Sequence, residues 1–287
     1  MQVIGSPVEM TTWTKQQAAR KKKIALVPTM GFFHEGHLSL MRMARAHAGR
    51  VVVSLFVNPI QFGPDEDLST YPRDFDRDCG LAEKEGVDIL FAPAAKDMFP
   101  EGFQTSISIG KITGHLCGAQ RPGHFDGVAT VVTKLFHITG ADCAIFGEKD
   151  YQQLAVIRRM VADLNMDIEI IGHPIVREND GLAMSSRNTY LDATGRETAL
   201  CLSRAIALAR SKAAEGITDT ARLAVLVSEF ILSFPGTAID YASFVDCRTL
   251  EPAAQVDSNT LLVLAVKINN RVRLIDNGMV IGRSSCG

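Results

Sequence analysis

Five short stretches of the sequence carry residue types at spacings that could do chemistry. The first is PTMGFFHEGHLSL, residues 28–40. A short apolar run ends just before Gly31, which permits a tight turn. His34 and His37 stand where a helical apolar pattern begins. A helix start presents unbonded N–H groups and the positive end of the helix dipole, which suits phosphate. Histidines three apart share a helical face, so both imidazoles can reach one anion. Gly36 lets that anion approach the backbone closely. Two surface histidines or a zinc pair are the plain alternatives. Zinc needs three or four ligands, and no third is near in sequence.

The second stretch is FGEKDYQQ, 146–153, where Gly147 and Glu148 end a strand and Lys149 and Asp150 precede a helix. Lysine at such a turn can neutralise a phosphate, and aspartate can accept from a ribose hydroxyl. An ordinary helix start with Asp150 as its cap competes with that reading. The third, MSSRN at 184–188, is polar and loop-like, with two hydroxyls and a guanidinium that suit a mobile pyrophosphate clamp; taken alone it reads as a linker. The fourth, RPGHFDGVATVV at 121–132, is a Pro/Gly loop that runs into a helix and carries Arg121 and His124. The fifth, FVNPIQFGP at 56–64, puts Asn58 and Gln61 just past a strand, where neutral amides would orient a hydroxylated or carboxylated substrate; turn formation at Asn-Pro is the alternative.

The elements that must position these residues alternate. Apolar runs at 24–29, 51–58, 88–93, 143–148 and 166–177 read as strands. Between them, 38–48, 74–85, 127–139 and 150–165 have helical periodicity. That order predicts a doubly wound parallel α/β sheet, whose ligands lie beyond the carboxyl ends of the strands. Near 177 the pattern changes to two helices, 194–214 and 218–234, then strands at 239–246, 260–268 and 272–275. The prediction is a Rossmann-like α/β domain over 1–177 and a smaller C-terminal α+β domain over 178–287.

Composition narrows the function classes. Of 287 residues, 46% are hydrophobic and 22% charged, which is ordinary for a globular protein and excludes a disordered or collagen-like chain. A net charge of −2 argues against a dedicated nucleic-acid binder. No signal peptide or membrane-span pattern is visible, so a cytoplasmic setting is expected. The six cysteines form no Cys-x-x-Cys pair and read as free, non-catalytic thiols. Asp76 and Asp78 read as solvated residues of a charged helix, and no protein ligand for a metal can be assigned.

Together, and in this order, PTMGFFHEGH (28–37), FVNPIQFGPDEDLSTYPR (56–73), RPGHFDGV (121–128), FGEKDYQQ (146–153) and MSSRN (184–188) resemble the pantoate–β-alanine ligase family along nearly the whole chain. The HxGH element alone resembles the wider nucleotidylyltransferase superfamily. The resemblance implies that ATP, with Mg2+, activates (R)-pantoate as an acyl adenylate, and that β-alanine then displaces AMP. It implies a homodimer whose C-terminal domain closes over ATP. Carried over by motif, Met30, Gly31, His34, His37, Gly147, Glu148, Lys149, Asp150, Val176, Met184, Ser185, Ser186 and Arg187 would contact ATP. His34, His37 and Lys149 would be catalytic, with His37 at the position usually given as proton donor. Gln61, Gln153, Asn58 and Val128 would hold pantoate, and Gln61 would also serve β-alanine. Arg121, His124 and Tyr71 are candidate loop contacts. Phe32-Phe33 is bulkier than the pair common in the family, but leaves both histidines in register. A class I aminoacyl-tRNA synthetase also pairs an HxGH-type element with a serine-containing loop, but the part after 177 is too short and too near neutral for anticodon binding. A nucleotide sensor of the same fold would not need Gln61 and Gln153.

Overall fold

The computed structural model describes every residue except Asp65 and 283–287. Along the chain run β1 (Gln2–Ile4), α1 (Pro7–Ala19), β2 (Ile24–Thr29), α2 (Glu35–His47), β3 (Arg50–Leu55), α3 (Phe75–Lys84), β4 (Ile89–Phe91), the short α4 (Ala95–Met98) and α5 (Cys117–Gln120), α6 (His124–Thr139), β5 (Cys143–Gly147), α7 (Tyr151–Asp163) and β6 (Glu169–His173). All six strands join one parallel sheet in the order β1-β4-β3-β2-β5-β6. The chain moves outward from β2 to β3 and β4, then returns to the other side of β2 with β5 and β6. The order therefore reverses between β2 and β5, the place where open α/β sheets bind ligands.

Parallel strands need cover on both faces. The apolar β2 run IALVPT meets that need, with Ala25 and Val27 packed with Leu40, Met41 and Ala44 of α2 and Ala82 of α3. α6 packs on β2 and against α1, where Thr14 Oγ1 donates to the Thr139 carbonyl at 3.0 Å. The helix α1 has no counterpart among the elements expected from periodicity, because it buries only Met10, Thr14 and Gln17, too few for a clear apolar stripe. Its start signal is present all the same: Pro7 opens the helix and the Ser6 hydroxyl accepts the Glu9 N–H.

By contacts the chain divides into two units, one of 1–148 with 156–173 and one of 149–155 with 174–287. In the second unit, α8 (Ala193–Ala199), α9 (Cys201–Ala214) and α10 (Thr220–Leu232) precede an antiparallel sheet of β7 (Thr237–Asp246), β8 (Thr260–Ile268) and β9 (Val272–Met279). Ile206 of α9 and Leu223, Val227 and Ile231 of α10 pack with Leu262, Leu264 and Leu274 of the sheet. The single helix expected at 194–214 is broken at Leu200. The strand expected at 166–177 is shorter, because Pro174 has no N–H for a ladder. β9 runs past the expected end at 275, through Asp276 and Asn277.

No described helix is long and apolar enough to cross a membrane. Cys79, Cys117, Cys143 and Cys201 are thiols outside any disulfide. Cys247 is disulfide-bonded, which corrects the expectation of six free thiols; Cys286 lies outside the described residues. Spacing along the chain does not reveal such a bond, because pairing depends on closeness in space. Burial pushes the Cys143 thiol up to about 11 and the Cys201 thiol up to about 12. Reagents that need thiolate should therefore label the half-buried Cys117 in the native protein well before Cys143 or Cys201, and all three on unfolding. Native labelling of Cys143 at the Cys117 rate, read by mass spectrometry, would contradict this.

Candidate functional site

At the carboxyl end of β2 the chain turns sharply. Gly31 has φ +87° and Phe32 φ +53°, two consecutive residues in the left-handed region. A Cβ on Gly31 would come within 3.1 Å of Asp78 Oδ2, so glycine suits both the backbone and the space. The turn is held by Asp78, in the first turns of α3. Its carboxylate accepts the Phe32 N–H at 2.6 Å and the Phe33 N–H at 2.7 Å, and the residue is 1% exposed. Reading Asp78 as solvated is thus corrected: the acidic pattern at the helix start is visible in the sequence, but its partners lie far back in the chain. Burial pushes its carboxyl above the ordinary value, against the pull of the two amides and Arg77. Phe33 is fully buried in the core between β2, α2 and α3, which gives the bulky pair a packing role, and Arg77 lies over the Phe32 ring.

Beyond this turn, His34 caps α2 and His37 sits in its first turn, with ring centroids 4.1 Å apart. The His34 N–H donates to His37 Nδ1 at 3.3 Å. A lone pair at Nδ1 puts the proton of the neutral ring on Nε2, so His37 is set to donate from Nε2. A helix start with an imidazole donor can bind an anion and stabilise charge that grows on it.

Just past β3, residues Pro59–Gln61 form a 3-10 turn. Asn58 Nδ2 donates to Gln61 Oε1 and to the Gly127 carbonyl, both at 3.1 Å, and Gln61 Nε2 points to Met30 Sδ at 3.3 Å. Gly127 allows α6 to come this close, since a Cβ there would meet the Ile60 carbonyl oxygen at 2.5 Å. Arg121 and His124 brace the same turn from outside. His124 Nδ1 lies 2.8 Å from the Gln61 carbonyl, and its Nε2 3.1 Å from Arg121 Nη1. A carbonyl only accepts and a guanidinium only donates, so His124 carries its proton on Nδ1. Arg121 pairs through Nε and Nη2 with Glu66, whose carboxyl burial would raise but Arg121 holds below its ordinary value. Arg121 and His124 thus act on the Gln61 backbone. Val128 is buried on α6, and Tyr71 is buried with its ring against the edge of Phe62.

Gly147 ends β5, and burial raises the Glu148 carboxyl against Arg158 and His173. In the second unit, Lys149 Nζ lies 3.7 Å from Asp150 Oδ2, and Gln153 is half-buried on α7. Val176 and Met184 face each other across a hairpin, with the Met184 N–H on the Val176 carbonyl at 2.9 Å. The expected loop at 184–188 is partly ordered: Ser185 Oγ accepts the Arg187 N–H and opens a 3-10 turn, Ser186–Tyr190. Among the described residues no group of three or more His, Cys, Asp or Glu could hold a metal ion.

Removing the Asp78 carboxylate leaves one buried and one part-buried amide without their acceptor. At about 1–3 kcal/mol per unsatisfied group, Asp78→Ala should lose about 2–4 kcal/mol of unfolding free energy in urea, and Asp78→Asn, which keeps one acceptor, less. A loss for Asp78→Ala well under about 1 kcal/mol would show that the clamp is not holding the turn.

Residues 2–279 match the family model described as pantoate-beta-alanine ligase. The chain is 56% identical over 277 residues to the pantothenate synthetase of Geobacter sulfurreducens, covering 96% of this chain and 98% of the relative. Its fold matches the crystal structure of pantothenate synthetase from Thermus thermophilus with TM-score 0.93 and 43% identity, over 98% of this chain and 100% of that one. The pantoate-beta-alanine ligase of Francisella tularensis, solved with beta-gamma ATP and beta-alanine, matches with TM-score 0.80 and 31% identity over 99% and 100%. With one relative above half identity and both folds covered almost end to end, the chain belongs to the pantoate–β-alanine ligase family.

Proposed function

We infer that the chain condenses (R)-pantoate with β-alanine in two steps through pantoyl adenylate. The observation that carries this reading is the contact of Gln61 Nε2 with Met30 Sδ at 3.3 Å, because it joins the amide pair past β3 to the histidine-bearing turn past β2. A carboxylate that attacks a phosphate must lie beside it, and these two neighbouring strand ends supply groups suited to each.

In the first step a pantoate carboxylate oxygen attacks the α-phosphorus of ATP. The bond from that phosphorus to the bridging oxygen breaks and pyrophosphate leaves. In the second, the β-alanine amine attacks the acyl carbon, the bond to AMP breaks, and the nitrogen gives up a proton. Negative charge grows on phosphoryl oxygens in the first step, so donors aimed there lower its barrier. His34, His37 and Lys149 take that part, with Ser185, Ser186 and Arg187 on the phosphates. Met30, Gly31, Gly147, Glu148, Asp150, Val176 and Met184 complete the ATP contacts. Gln61, Gln153, Asn58 and Val128 hold pantoate, and Gln61 also serves β-alanine. His37 acts as a hydrogen-bond donor from Nε2, with no need to give up its proton. Arg121, His124 and Tyr71 support the loop.

Mg2+ belongs to the reading as a companion of ATP. The described residues offer no cage, and Mg2+ held by phosphates and water needs none; it neutralises phosphate charge. The reading also includes a homodimer, a cytoplasmic setting, no nucleic-acid or membrane partner, and a C-terminal domain from about 178 that closes over ATP.

Two measurements test this reading. Purified protein should exchange labelled pyrophosphate into ATP with pantoate alone, and form AMP at a sustained rate only when β-alanine is added. Exchange driven by an amino acid instead would point to a synthetase of another kind. For the amides, Gln61→Ala and Gln153→Ala should each weaken apparent pantoate binding by roughly one to two decades while ATP binding without pantoate barely changes. Only Gln61→Ala should also weaken use of β-alanine. Equal loss of ATP binding in both variants would remove the substrate assignment.

A further inference from the structure

The second unit buries a polar pair that the reaction as described leaves without a role. Asp276 and Asn277 are adjacent on β9, with exposures of 3% and 6%. Asp276 takes the guanidinium of Arg177 at both oxygens, Oδ2 from Nη1 at 2.7 Å and Oδ1 from Nη2 at 2.9 Å. Its Oδ1 also accepts the N–H of Asn277 at 2.8 Å, so one carboxylate orients both neighbours. Arg177 Nη1 further donates to the Gly181 carbonyl at 3.1 Å. Gly181 is the left-handed turn residue of the hairpin that pairs Arg177 with Ala183 and leads into 184–188. Asn277 faces another segment: its Nδ2 donates to the backbone carbonyl of Lys149 at 3.0 Å.

One strand thus grips the two segments that supply phosphate-handling groups, 149–150 and 184–187. The grip on each is through the backbone or through Arg177, so it fixes the two segments without using the Lys149 amine or the side chains of 185–187. A buried carboxylate is costly unless paired, and this one is paired in the bidentate geometry that fixes direction as well as distance. We propose that Asp276 and Asn277 are positioning residues for adenylation, holding the Lys149 turn and the 177–184 hairpin in a common register. The proposal rests on the ATP-binding role assigned to those segments.

The test uses the full chain and three substitutions. Asn277→Asp keeps size and shape but replaces the donor to the Lys149 carbonyl with an acceptor. Asn277→Ser is smaller and removes the reach. Arg177→Lys keeps the charge but cannot span both oxygens of Asp276 and the Gly181 carbonyl. Leu274→Val, in the apolar core on the same strand, serves as a control that lowers stability while leaving the hydrogen bonds to both segments in place. Two readouts are taken: pantoate-dependent pyrophosphate exchange, and the rise in melting temperature on adding ATP alone. The expected result is a loss of exchange of about 10- to 100-fold in each of the three, a smaller ATP-induced rise, and an unchanged KM for β-alanine. The control should keep parental exchange at room temperature. Folded variants with exchange and ATP response within twofold of the parent overturn the proposal. So does an equal loss in Leu274→Val at a matched fall in melting temperature, which would reduce the pair to a stability role. If Asn277→Asp fails to fold, the other two decide. Should the parent respond to ATP but show no pantoate-dependent exchange, the substrate reading fails. The ATP response of the variants then still decides the positioning role.

Discussion

The buried carboxylate of Asp78 is the constraint on which the first unit's histidine-bearing turn depends. β2 must end where the strand order reverses, and the chain must then turn through two left-handed residues before a helix can start. For Phe32 that backbone carries a steric cost, and its part-buried amide and the buried amide of Phe33 both need an acceptor. Asp78 supplies the acceptor for both. Burial and hydrogen bonding oppose each other at this group, and the net upward push on its carboxyl shows that burial prevails. The clamp orders the residues just beyond it: Phe33 is seated in the core, His34 stands at the cap, and His37 is turned so that Nδ1 meets the His34 N–H.

Around Gln61 the same logic appears with neutral groups. Its side-chain oxygen is held by Asn58, its amide nitrogen reaches Met30, and its carbonyl meets His124. A glutamine fastened at three points loses little further freedom when a ligand arrives, which favours orientation over raw affinity. Arg121 contributes at one remove. Its charge is matched by Glu66, so it braces the turn and is not a free cation for substrate. The second unit uses a charged version, a fork of Arg177 on Asp276 of β9 with Asn277 beside it. A clamp placed behind a side chain fixes its geometry without using up the groups that side chain presents.

Much of the scaffold was legible in the sequence. The bounds of β2 and β8 fall at the ends of the apolar runs, since an apolar stretch of that length has few alternatives to a buried strand. The histidine pair was legible too, because helical spacing alone brings residues three apart onto one face. Less was visible where the pattern was weak. α1 shows almost no apolar stripe, and the polar Asp276-Asn277 looks like the end of a strand when it is the middle of one.

The sequence by itself therefore determined the alternation of strands and helices, the histidine pair at a helix start, and, through motif order, the family. Those properties are local: they follow from backbone periodicity and from side-chain chemistry over a dozen residues. Only the tertiary structure decided which groups hold the others in place. Asp78 meets an amide 46 positions away, and Asn277 meets a carbonyl 128 positions away. Neither contact has a periodic signature, because each depends on how strands order themselves and where helices pack, and a buried aspartate is spelled no differently from a solvated one.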